Sequence, residues 1–256
     1  MRRIGIMGAM QEEIREICAL LGNCTEIELG KRTFFIGTLH QHEVVVCASR
    51  WGKVAAAATA SALIHKFGIT ELYFTGVAGG ISPNAHVGDI IIAESLVQHD
   101  MDARPIFQRF EIPLLGISRF QADPKQLKRE KEAIESAIQT TKMFQGIDPI
   151  ILERFHIRNP KVHLGLIASG DRFFGNNREK KQLEEALPEV LCVEMEGAAV
   201  AQVCYEYEIP FHIFRTLSDS ANDGAVEDFT AFIQQIAGHI SANIISAVLQ
   251  ARIDLN

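Results

Sequence analysis

The strongest constraint on the fold is a repeated change of hydrophobic period along the chain. Short runs dense in Val, Ile and Phe recur, among them RIGIMGA (3–9), HEVVVCAS (42–49), ELYFTGVAGG (71–80), VGDIIIAESLV (87–97), KVHLGLIASGD (161–171) and PFHIFRTLSD (210–219). Runs that are apolar without alternation suit strands covered on both faces. Between them lie segments with helical spacing: MQEEIREICALLG (10–22), GKVAAAATASALIHKFG (52–68), PKQLKREKEAIESAIQTTKMF (124–144) and EMEGAAVAQVCYEYE (194–208). A last helix is expected from about Val226 to Ala251, with Phe229, Phe232, Ile236, Ile240, Ile244 and Val248 as one core-facing stripe. RTFFIGTLH (32–40) and HEVVVCAS are expected to pair as a hairpin around Gln41. Strands alternating with helices predict an α/β three-layer sandwich, a central mixed β-sheet flanked by helices. With 256 residues, 47% of them hydrophobic, and no internal repeat or low-complexity linker, a single domain over residues 1–256 is expected.

Charge narrows the partners. The 25 basic and 32 acidic residues leave a net charge of −7 with no long Lys/Arg run, which disfavours nucleic acid and anionic membranes and favours a small molecule. Five scattered cysteines without a CxxC pair argue for free thiols in a reducing cytoplasm and against a disulfide framework or a zinc site. The apolar stretch after the N-terminal arginines meets acid by Glu12, too early for a signal peptide, and no run reads as long enough to span a bilayer. HQHE (40–43) and HDMD (99–102) have metal-like composition but no third ligand nearby, so no metal is expected. Residues 98–124, with three prolines and several aromatics, read as an extended loop of the kind that lines sites.

Ligands in open α/β sheets collect beyond the carboxyl ends of strands. GAMQEE (8–13), TGVAGG (75–80), SGDRFF (169–174) and TLSDSAND (216–223) combine strand ends, glycine and ionisable groups, and would converge on one crevice with VEMEG (193–197). In VEMEGAAVA small residues permit close approach, while two carboxylates must be satisfied or used, so the stretch reads as a helix start beside a site. TGVAGG by itself is weak, lacking the Lys-Ser/Thr of a P-loop.

Taken in order and spacing, IGIMGAMQEE, WGKVAAA, TGVAGG, SGDRF, VEMEGAAVA and TLSDSAND resemble the motifs of the 5'-methylthioadenosine/S-adenosylhomocysteine nucleosidases, within the wider nucleoside phosphorylase family. The resemblance covers nearly the whole chain. It implies a homodimer that uses water, and no cofactor, to cleave the N-glycosidic bond of 5'-thio-substituted adenosines. Such a cleavage needs an acid at the leaving purine and a base for water on the other side. By resemblance, Glu13 is that base, with Glu12 the alternative if the turn is offset by one; Arg215 helps to position the water. Asp219, steered by Ser218, is the acid at purine N7. Glu196 takes the ribose hydroxyls, Met195 packs along the sugar, and Glu194, expected on a helix, touches the ribose or caps the turn. Phe173 stacks on the purine and Phe174 reads its polar edge, while Met10, Trp51, Ala78, Gly79 and Val193 complete the expected lining. Trp51 stands where the resemblance leads one to expect an aliphatic residue, Arg50 where glycine is frequent, and Val77 where Ser is frequent. The first two departures fall on the 5' pocket and the third near the water, where it leaves only backbone donors; together they leave open a related adenosine-like substrate such as aminodeoxyfutalosine, whose carboxylate Arg50 or Arg104 could meet, or a purine nucleoside phosphorylase.

Overall fold

A computed structural model describes residues 3–253. In chain order its elements are β1 (Arg3–Gly8), α1 (Gln11–Ala19), β2 (Gly22–Leu29), β3 (Arg32–Leu39), β4 (His42–Ala48), α2 (Lys53–Phe67), β5 (Glu71–Phe74), β6 (Val77–Gly80), β7 (Ile90–Gln98), β8 (Phe120–Gln121), α3 (Pro124–Gln139), α4 (Pro149–Arg154), β9 (Val162–Ser169), α5 (Asn177–Ala186), β10 (Val190–Glu194), α6 (Gly197–Glu206), β11 (Phe211–Asp219), α7 (Ala225–Phe232) and α8 (Gly238–Ile253). The strands form one mixed sheet in the order β2-β3-β4-β1-β5-β11-β6-β10-β9-β7-β8. β7 pairs in parallel with β9 and antiparallel with β11, so β11, β6, β10, β9 and β7 close into a ring at one end of the sheet.

The mixed sheet flanked by helices is the expected architecture. In β4, Val44 and Val46 belong to the core on the side of α1, whereas Val45 and Cys47 belong to the core on the side of α2. Both faces are therefore dry, which is why the run shows no polar alternation. Burying each such aliphatic side chain contributes roughly 1.5–3 kcal/mol. Alanines 56 and 60 of α2 meet Ala198 and Ala201 of α6 in the second cluster, small residues letting the two helices approach closely. Gly68 ends α2 with φ +64°, the left-handed cap that L side chains resist.

Several expectations need revision. ELYFTGVAGG is two strands, because the chain leaves β5 at Thr75 and re-enters the sheet as β6 on the other side of β11. The exposed edge strand β2, the short β10, and helices α4 and α5 were not anticipated; β2 is exposed at every position and shows no apolar period. The C-terminal helix reaches from Ala225 to Ile253, with a π-helical turn at Ile233–Ala237, and is long and apolar enough to cross a membrane, contrary to the sequence reading. In the fold, 67% of its most apolar window is buried, α8 packing on α1 and α3. Phe232, Ile236, Ile240, Ile244 and Val248 form the predicted stripe, but Phe229 leaves it to line a cavity. At Gly238 a Cβ would lie 2.6 Å from the Glu12 carbonyl oxygen, so glycine lets this helix close on the start of α1. Residues 99–119 form the expected irregular loop, carrying one isolated bridge between Ile112 and Ile117.

Candidate active site

The carboxyl ends of β1, β4, β9, β10 and β11 meet around a cavity enclosing about 530 Å³. Met10, Glu13, Trp51, Ala78, Gly79, Phe173, Phe174, Val193, Glu194, Met195, Glu196, Ser218 and Asp219 line it. Arg215, also expected at the site, does not: it is 1% exposed and lies behind the acids. The 98–124 loop contributes nothing to the cavity of its own chain.

Glu13 reaches the floor from the first turn of α1, while Glu12 points to solvent. Its carboxylate accepts hydrogen bonds from the backbone N–H of Ala9 (2.6 Å), Met10 (3.0 Å) and Val77 (3.1 Å). Gly76 makes room for it, since a Cβ there would stand 2.6 Å from Glu13 Oε1. Burial raises its pKa, against the opposing pull of Arg215 and the three N–H donors.

Glu194 is the last residue of β10, not a helical residue as expected, and it is the partner of Arg215. Arg215 donates to Glu194 Oε2 from Nη2 (2.7 Å) and Nε (3.2 Å), and its Nη1 donates to the Phe214 carbonyl at 2.9 Å. Glu194 also accepts from the Ser169 hydroxyl and from the N–H groups of Glu196 (3.2 Å) and Gly197 (2.8 Å), so it does cap the turn into α6. Glu196, two residues on, turns into the cavity and accepts from Gly52 N–H at 2.8 Å. Its pKa is raised by burial and then by the neighbouring Glu194 charge. Gly52 holds φ +92°, and a Cβ there would press on Asp171 at 2.9 Å. Asp171 accepts from Lys53 N–H (2.8 Å), and Asp100 binds both Lys53 Nζ (2.6 Å) and the Asp171 N–H (3.0 Å), which fixes the Gly52 turn under Glu196.

Asp219 ends β11, 3% exposed, accepting from Ser218 Oγ and from Ala221 N–H, each at 2.8 Å. Burial raises its pKa, opposed by those two donors. Around the mouth Phe229 stands edge-on to Trp51 (5.8 Å) and to Phe173 (5.5 Å), whereas Phe174 is buried edge-on to His99. Val77, noted as a departure from the resemblance, lines the cavity too, and Ala9, Arg172 and Phe229, which were not assigned to it from sequence, complete the lining. Arg172 sits inside SGDRFF and could have been found there; Phe229 shares the period of a core stripe and gave no separate signal. Arg104, weighed as a carboxylate partner, is held by Asp102 at 2.8 Å outside the cavity. Among the described residues no group of three His, Cys, Asp or Glu side chains is placed to hold a metal ion.

The profile of the phosphorylase superfamily matches residues 3–250. The chain belongs to that superfamily. This member is 32% identical over 248 residues to a 5'-methylthioadenosine/S-adenosylhomocysteine nucleosidase of Staphylococcus aureus, covering 96% of this chain and 99% of the relative. Among solved structures, the nucleosidase of that name from S. pneumoniae, bound to the transition-state inhibitor MT-ImmA, superposes with a TM-score of 0.83 at 33% identity, over 98% of this chain and 99% of the other. Futalosine hydrolase of Helicobacter pylori superposes with a TM-score of 0.81 at 32% identity, over 100% and 98% of the two chains.

Proposed function

We propose that this superfamily member is an N-glycosidic hydrolase that cleaves 5'-methylthioadenosine and S-adenosylhomocysteine into adenine and the 5-thioribose product. The observation that carries the choice of water over phosphate is the charge at the cavity floor. Among the described residues, Glu13, Glu194 and Glu196 face one buried cation, Arg215, and the one basic side chain lining the cavity, Arg172, is paired with Glu179. A phosphate dianion would be repelled there, whereas neutral water would not.

In this reading Glu196 accepts hydrogen bonds from the ribose hydroxyls, Met195 packs on the sugar, and Phe173 stacks on the purine with Phe229 closing over it. Phe174 sits at the base's polar edge; Met10, Trp51, Ala78, Gly79 and Val193 supply the remaining walls. The C1'–N9 bond breaks with its electron pair moving to the purine, whose N7 takes a proton from Asp219. The water oxygen bonds to C1' while Glu13 takes its proton, and Arg215 acts through Glu194 and Glu13 rather than touching water itself. The raised pKa values of Asp219 and Glu13 suit both roles, since a neutral acid can donate and a raised carboxylate is a stronger base.

The chain acts as one domain and as a homodimer, in which the loop around Ala103, Ile106 and Phe107 closes the neighbour's 5' pocket; Ile106 is 82% exposed and unused by its own cavity. Five free cysteines fit a cytoplasmic enzyme of methionine salvage. Product analysis with and without phosphate tests the assignment. Adenine and free thioribose are expected in both, with turnover of Glu13→Gln lowered at least ~10²-fold. Phosphate-dependent release of a ribose 1-phosphate would overturn it.

A further inference from the structure

Asp100, the first acid of HDMD, does not line the nucleoside cavity, and neither do its two partners, Lys53 and Asp171. All three nevertheless surround the turn on which the ribose clamp leans. Among the described residues the Glu196 carboxylate accepts one hydrogen bond, on Oε1, from Gly52 N–H at 2.8 Å. Gly52 has no side chain to anchor that turn at φ +92°, so its position is set from outside.

Gly52 is the N-cap of α2, whose first turn carries no acid of its own and opens on a lysine. A cation at a helix N-terminus is unfavourable, whereas carboxylates there are favoured. The fold answers both. The N–H groups of Gly52 and Lys53 donate to carboxylates 144 and 118 positions away, Glu196 and Asp171. The Lys53 ammonium donates to Asp100 Oδ1 (2.6 Å) and to Gln98 Oε1 (3.1 Å), while Asp100 Oδ2 accepts from Asp171 N–H (3.0 Å). Asp100 thus grips the start of α2 through Lys53 and the end of the β9 segment through the Asp171 backbone. Gln98 Nε2 donates to Gln202 Oε1 at 2.6 Å, which ties the same bracket to α6, the helix that follows Glu196. Burial works to raise the Asp100 pKa, but Lys53 and the Asp171 N–H bring it below its ordinary value, so the carboxylate stays charged at neutral pH.

Burial and then the Glu194 charge raise the Glu196 pKa, and Gly52 N–H opposes them. Drawing that N–H back would leave Glu196 a poorer acceptor and less well aimed. We propose that Asp100 is a positioning residue for the ribose clamp: through Lys53 and Asp171 it holds Gly52 N–H against Glu196 Oε1, and so sets how strongly the enzyme prefers a substrate with both ribose hydroxyls. The proposal rests on the nucleosidase reading, which assigns Glu196 to those hydroxyls.

The readout is the ratio of kcat/KM for 5'-methylthioadenosine over its 3'-deoxy analogue, taken within one protein so that partial loss of folded enzyme cancels. The parent should prefer the ribose by about tenfold or more, the size of a hydrogen bond to a charged group. Asp100→Asn keeps an acceptor for Asp171 N–H but removes the charge that holds Lys53. Lys53→Met breaks the same pair from the other side and keeps the backbone N–H that Asp171 accepts. Each should lower the ratio by about two- to fivefold, the pair being only partly buried. A purely structural role would lower both rates together and leave the ratio at the parent's value. An unchanged ratio in both variants, or a parent ratio near one, overturns the positioning role, while adenine release from 5'-methylthioadenosine leaves the nucleosidase reading standing. Absence of adenine from both compounds overturns both.

Discussion

Replacing Glu194 by Gln should unfold the protein early as well as impair it, and the structure says by how much. The substitution keeps size and removes one negative charge. Both carboxylate oxygens are fully used: Oε1 accepts from Ser169 and from Gly197 N–H, and Oε2 from Arg215, Glu196 N–H and Gly197 N–H. Whichever way a glutamine amide is turned, its NH2 faces donors and one set of bonds is lost. Arg215 is 1% exposed and would keep its hydrogen bond to the Phe214 carbonyl, but its remaining acidic neighbours would be only Glu13 and Glu196. Removing one partner of a buried ion pair costs about 3–5 kcal/mol. Relief of the Glu194–Glu196 repulsion offsets part of that, so the lower end, about 3 kcal/mol, is expected. For a chain of this size each kcal/mol moves the melting temperature by about 2–4 °C, giving a fall of roughly 6–12 °C by calorimetry. The pKa of Glu196 should fall in the same variant, because one of the charges raising it is gone. A melting temperature within about 2 °C of the parent would refute the view that Glu194 and Arg215 form an interdependent buried pair.

Gly76→Ala should cut adenine release by roughly 10²-fold, because the new methyl would stand 2.6 Å from Glu13 Oε1 and displace it; undiminished turnover would show that the carboxylate position is not critical. Asp219→Asn keeps the shape and a donor for N7 but has no proton to transfer, so single-turnover release should drop by ~10²-fold or more while melting changes little. Normal release from a folded, substrate-binding Asp219→Asn protein would end the general-acid role. His212, away from the cavity, is lowered by burial but raised more by Glu130 and Glu71, to about 9. A raised folded pKa means that its stabilisation is complete below pH 6.5 and is lost as pH rises through about 9. Melting curves should therefore decline across that window, and the decline should flatten in Glu130→Gln.

Consecutive residues determined most of the buried strands, the longer helices and most of the site's composition. The unbroken apolar run of β4, the turn at Gln41 and the left-handed cap at Gly68 are local matters of period and turn chemistry, and each is readable in a few neighbouring letters. The motifs at strand ends likewise pointed to one crevice, because strands that run parallel deliver their carboxyl ends to the same side. Only the tertiary structure decided which charged groups are dry and which are paired. Glu194 and Glu196 are two residues apart, yet one is spent on Arg215 and the other meets Gly52, a partner 144 positions away. Phe229 has the spacing of a core residue and becomes a cavity wall, because the turn of the chain at the start of the last helix aims it at Trp51 and Phe173. Desolvation and charge pairing depend on distances between remote segments, and those distances exist only once the sheet has brought the segments together.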